Sequence, residues 1–90
     1  MNLLRSLSLA CALSACMWAA SKPLEVYFID VEGGQATLLV TPSKQSVLID
    51  TGWPGNSNRD ADLIAKAAKS AGVKAIDYLI ITHYHMDHVG

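Results

Sequence analysis

The chain is 90 residues long and sets seven Lys and Arg against eight Asp and Glu, for a formal net charge of -1. That balance argues against the electrostatic footprint of a nucleic-acid binder and against a polybasic membrane patch. With 51% apolar and 17% charged residues, the chain is not of the disordered, charge-rich kind, and its length holds one domain.

The N-terminus reads as an address. Asn2 and Arg5 give a short positive start, an apolar stretch from Leu7 to Ala15 follows, and small residues come after it. This is the layout of a secretory signal peptide over residues 1–20, and it predicts an exported protein, periplasmic or secreted. A buried helix would show apolar residues recurring at helical spacing, whereas here they run continuously. Two ends of the signal compete. Leu13-Ser14-Ala15-Cys16 has the form of a lipoprotein box, which would make Cys16 a lipid anchor and the product a membrane-anchored lipoprotein. Cleavage near Ala20 is the other reading, with Trp18 a poor fit to a small-residue site. Both cysteines, Cys11 and Cys16, fall in this segment, so residues 21–90 have no disulfide to stabilise a small core.

The body then alternates short β-rich runs with turn chemistry. Residues 24–30 predict a strand, Glu32-Gly33-Gly34 a turn, residues 35–40 a second strand, and Thr41–Gln45 a polar hairpin connection. A third strand is expected at 46–50, followed by a Gly-, Pro- and Asn-containing loop from Thr51 to Asn58. Ser57 or Asn58 is placed as the N-cap of a helix over 59–71, with Asp60 and Asp62 in its first turn. Ile64, Ala67, Ala68 and Ala71 form its apolar stripe, Lys66 and Lys69 lie off it, and Gly72 ends it. Residues 76–82 read as a strand buried on both faces, because their apolar middle is continuous.

Strand, helix and strand over 46–82 make a β-α-β unit, whose strands should be parallel. Parallel strands end on one sheet edge, so Asp50 and the segment from residue 83 onward should face one crevice. All three histidines of the chain fall in that segment, His83-Tyr84-His85-Met86-Asp87-His88. Random placement would do this on the order of once in a hundred sequences. A lone His is usually a surface or satisfied core residue, but three with an Asp beside a strand end are hard to explain by packing. A structural zinc site would draw on Cys, which the body lacks. Residues two apart in extended chain share a side, so His83 and His85 can hold one ion. Asp87 and His88 can turn toward a second as the chain bends. Such donors suit zinc, with iron or manganese as alternatives.

Thr82 to Gly90 resembles the H-x-H-x-D-H motif of the metallo-β-lactamase superfamily, and Leu48-Ile49-Asp50-Thr51-Gly52 is similar to its Asp-Thr-Gly motif at a strand end. Phe28 to Gln35 is similar to the branch related to competence-type DNA-uptake proteins, whose Gly-Gln-Gly-Asp turn Glu32 and Ala36 break. The resemblance implies a four-layer αββα sandwich with metals at the edge between two sheets. It implies His83 and His85 on the first metal, Asp87 and His88 on the second, and Asp50 supporting them from behind. Asp87 also takes a leaving-group proton in some members. The family completes its site with ligands downstream, which makes residues 21–90 the N-terminal portion of such a domain, truncated at Gly90 and inactive alone. The implied activity is dizinc hydrolysis by a metal-held hydroxide on a small-molecule, ester or phosphodiester substrate. A diiron redox enzyme and a non-catalytic metal-binding module are the alternatives on the same fold. Trp53 either lines the pocket rim or covers the sheet edge.

Overall fold

The computed structural model describes residues 22–90. The signal peptide and the Cys16 anchor expected at residues 1–20 lie outside the described residues. Among the described residues, no helix is long and apolar enough to cross a membrane.

The β-rich runs form β1 (Glu25–Phe28), β2 (Thr37–Val40) and β3 (Ser46–Ile49); helix α1 (Arg59–Ser70) and β4 (Tyr78–Ile80) follow. Short 3-10 turns occupy Asn56–Asn58 and Met86–His88. The sheet runs β1-β2-β3-β4, with the first two pairings antiparallel and the last parallel. The expected parallel β-α-β unit is therefore present. Its register pairs Ile49 with Ile80, which brings the chain leaving β3 beside the chain leaving β4.

Turn chemistry explains the connections. In the β2–β3 hairpin, Lys44 takes a left-handed φ of 67° and donates its N–H to the Thr41 carbonyl at 2.8 Å. Its ammonium then reaches 3.0 Å to the Ala71 carbonyl at the C-terminus of α1, where a cation complements the helix dipole. The helix closes with two reversed bonds, Gly72 N–H to Lys69 O at 3.1 Å and Val73 N–H to Ala68 O at 3.0 Å. That is the Schellman arrangement, with Gly72 where the sequence places the stop. The N-terminus departs from expectation. Asn58 occupies the cap position in a left-handed conformation and makes no side-chain capping bond.

The core lies between α1 and one face of the sheet. Residues paired across strands share a side, so Tyr27, Leu38 and Leu48 form one row under the helix. Leu38, Val40, Leu48, Ile64 and Ala71 are buried there, with Ala67 and Ala68 packed against them. The opposite face carries Val26, Phe28, Tyr78 and Ile80, all exposed. This corrects the reading of 76–82 as a strand covered on both sides. Leu79 is also 56% exposed, although its register partner Leu48 is buried at 5%. β4 is an edge strand among the described residues, and the helix packs on β2 in preference to it. The other strands are also shorter than the apolar runs suggest, because the ladder ends where the loops around the site pull backbone groups away.

Candidate metal centre

Three loops are woven together at the C-terminal edge of β3 and β4. Gln35 N–H donates to Asp87 O at 3.0 Å, Gly52 N–H to Gln35 O at 2.8 Å, Thr51 N–H to His88 O at 3.0 Å, and Gly90 N–H to Gly52 O at 2.8 Å. These bonds fix the backbone of the histidine segment against both the 31–35 turn and the loop after β3. Close approach requires small residues. A Cβ on Gly34 would stand 2.6 Å from the Asp87 carbonyl oxygen. At Gly52, with φ +70°, it would stand 2.6 Å from an Asp60 carboxylate oxygen and 3.0 Å from Val31 Cγ1.

Asp50 anchors the site. Its N–H still bonds Ile80 O at 2.8 Å, but its φ of 60° turns the chain out of the sheet and leaves the side chain fully buried. Asp tolerates this left-handed geometry better than most residues. Oδ1 accepts the Thr82 N–H at 2.8 Å, and Oδ2 accepts the Thr82 hydroxyl at 2.6 Å. Oδ2 also lies 2.7 Å from His88 Nδ1. Burial alone would push this carboxyl up, but the Thr82 hydroxyl, the Thr82 N–H and the His88 imidazole together hold it below the ordinary aspartate range.

The structure brings the expected donors together with a different internal grouping. His83 and His85 rings meet edge to face at 4.7 Å between centroids, as residues two apart on extended chain should. His83 is nearer still to His88, at 4.0 Å. The Met86–His88 turn swings Asp87 and His88 toward the same side, with Asp87 Oδ1 3.7 Å from His88 Nε2. Among the described residues, no group of three or more His, Cys, Asp or Glu side chains is set to hold one ion. The donors meet in pairs: His83 with His85, His83 with His88, and Asp87 with His88.

Their chemistry suits a divalent cation. Asp50 occupies Nδ1 of His88 and leaves Nε2 as the free lone pair, the arrangement that orients metal-binding imidazoles. The gap between Nε2 and Asp87 Oδ1 is longer than a hydrogen bond, and an ion about 2.1 Å from each donor fits such a spacing.

Two residues escaped the sequence reading. Thr82 lies between Asp50 and the imidazoles, with its hydroxyl 3.1 Å from His83 Nδ1. Asp60, placed by sequence only as a helix-dipole residue, is 1% exposed and takes the Trp53 N–H on Oδ2 and Arg59 Nε on Oδ1, each at 2.7 Å. The signal for Asp60 was its position at the start of the helix that follows the Gly52-Trp53-Pro54-Gly55 loop. Trp53 itself is 37% exposed and donates its indole N–H to Glu32 O at 3.3 Å, tying the loop over the 31–35 turn.

A parallel strand pair ends here in an Asp-Thr-Gly loop on one side and a clustered His/Asp segment on the other. The metallo-beta-lactamase superfamily matches residues 29–90, and the chain belongs to it. Members generally bind zinc, and membership points to hydrolase activity in general. No curated protein and no solved structure matches the chain. The mixed α/β architecture, a four-stranded sheet with one helix, is compatible with part of that superfamily's fold.

Proposed function

We propose that this protein is an exported, metal-dependent hydrolase that uses zinc, two ions per site, on an ester, phosphodiester or comparable small-molecule substrate. The observation that carries the reading is the Asp50–His88 contact, which aims a lone imidazole nitrogen toward the Asp87 carboxylate. His83 and His85 hold one ion; Asp87 and His88 hold the other. Four donors cannot fill two tetrahedral ions, so other groups complete each sphere. When bound, the ions supply Lewis acidity and acidify water at neutral pH.

The chain's own residues do the positioning. Asp50 keeps His88 in one orientation, and the backbone bonds to Asp87 and His88 carbonyls keep their turn from rotating. Asp87 is partly exposed, which allows it to reach both an ion and a leaving group. The four-layer sandwich is the fold this reading expects, with a second layer on the apolar face of Val26, Phe28, Tyr78 and Ile80. The address at residues 1–20 supports export, with Cys16 as the anchor if the lipoprotein box is used.

Zinc titration with a competing chromophoric chelator tests the proposal. Binding should fall at least about tenfold in His85→Ala and in Asp87→Ala. Zinc retention unchanged by both substitutions would overturn the ligand assignment, and stoichiometric iron in the purified protein would move the chemistry to redox.

A further inference from the structure

Thr82 sits at the exit of β4 with its hydroxyl between a buried carboxylate and two imidazoles. The hydroxyl has one hydrogen and three close neighbours: Asp50 Oδ2 at 2.6 Å, His83 Nδ1 at 3.1 Å and His88 Nδ1 at 3.5 Å. A carboxylate accepts only, so the Thr82 hydrogen goes to the shortest contact, Asp50. Toward His83 the same oxygen can then offer only a lone pair. His83 Nδ1 must then carry a proton, which in the neutral ring leaves Nε2 bare. His88 reaches the same state directly, since its Nδ1 faces Asp50 Oδ2 at 2.7 Å and must donate.

We propose that Thr82 is a positioning residue that relays the hydrogen-bonding polarity of Asp50 to His83, so that one buried carboxylate fixes both His83 and His88 as Nδ1–H tautomers presenting Nε2 to a metal. The reading of the site as a metal centre gives the relay its purpose. The relay itself is a property of the metal-free chain. It gives the buried Asp50 carboxylate a role toward an exposed ring, His83, and a half-buried one, His88. The buried end of the relay is Asp50, while Thr82 and His83 stand at the exposed edge of the sheet.

Long-range proton–nitrogen correlation spectra of the full chain, labelled at histidine, read each tautomer without metal. In their neutral forms, His83 and His88 should both show Nδ1–H. Thr82→Val removes the hydroxyl but keeps the backbone N–H on Asp50. It should return His83 to Nε2–H and leave His88 unchanged. Thr82→Ser should restore the wild-type pattern. Zinc affinity should fall about tenfold in Thr82→Val and recover in Thr82→Ser. His83 carrying its proton on Nε2 in the wild-type chain would overturn the relay, whatever the variant does. So would an unchanged His83 tautomer in a folded Thr82→Val. Nδ1–H on both rings together with no zinc binding would support the relay and defeat the metal reading, which keeps the two claims separable.

Discussion

Asp50 and Asp60 are both buried carboxylates, 0% and 1% exposed, at the two ends of one loop. Both are held below the ordinary aspartate range, but by different neighbours. Asp50 overcomes its own burial through Thr82 and His88, so its hydrogen bonds end on the Thr82 hydroxyl and N–H and on a ring nitrogen of His88. Asp60 is held down first by the Arg59 hydrogen bond, against burial, with the Trp53 N–H adding to it. Its bonds end on the loop backbone and on an arginine that also reaches Glu32 at 2.8 Å. The same residue type at the same depth thus orients donors in one place and closes a loop in the other. What a buried acid does is decided by what it touches.

Gly52 touches both regions, and its substitution should have the largest effect. Gly52→Ala puts a methyl 2.6 Å from the Asp60 carboxylate at a φ of +70°. Overpacking and backbone strain together should cost about 3 kcal/mol, read as a lower urea midpoint. An unchanged midpoint would mean that the loop yields freely and that the two carboxylates are independent.

Asp50→Asn and Asp60→Asn then separate the roles. Asp50→Asn should lower zinc affinity about 10–100-fold while the fold survives, because it alters the partner of His88. Asp60→Asn should do the reverse, costing about 1–2 kcal/mol of stability through the lost charge-assisted bonds while zinc affinity stays near wild type. Equal effects of both on zinc would erase the distinction.

The smallest effect is the pH dependence of Asp60. Its folded value lies below the unfolded one, so its contribution is fully present above about pH 4 and is lost as pH falls through the folded value. Urea midpoints followed downward through that window should drop more steeply in the wild-type chain than in Asp60→Asn. Parallel curves would remove Asp60 from the acid limb.

Much of this was legible in the residues. The alternation of β-rich runs with a helical stripe required a β-α-β unit, and the unit required Asp50 and the histidines to share an edge. The turn at Asp87-His88 followed from the same sequence, and so did the stop at Gly72. Thr82 was not legible, because a hydroxyl beside a histidine is unremarkable until a carboxylate 32 residues away lands on it. Asp60 was hidden for a related reason. A first-turn acid serves the helix dipole in most proteins, and only loop closure over it shows that Trp53 needs its oxygen.

Local chemistry therefore determined which segments are strands, where the helix ends, and which residues can ligate a metal, since these depend on neighbours within a few positions. Tertiary structure alone decided that β4 stands at an edge with its apolar side chains open, that His83 lies closer to His88 than to His85, and that the Thr82 hydroxyl lies between the buried Asp50 carboxylate and His83. Those outcomes depend on strand register and on which hydrogen-bond donors meet a common acceptor, and neither is written in the spacing of any one segment.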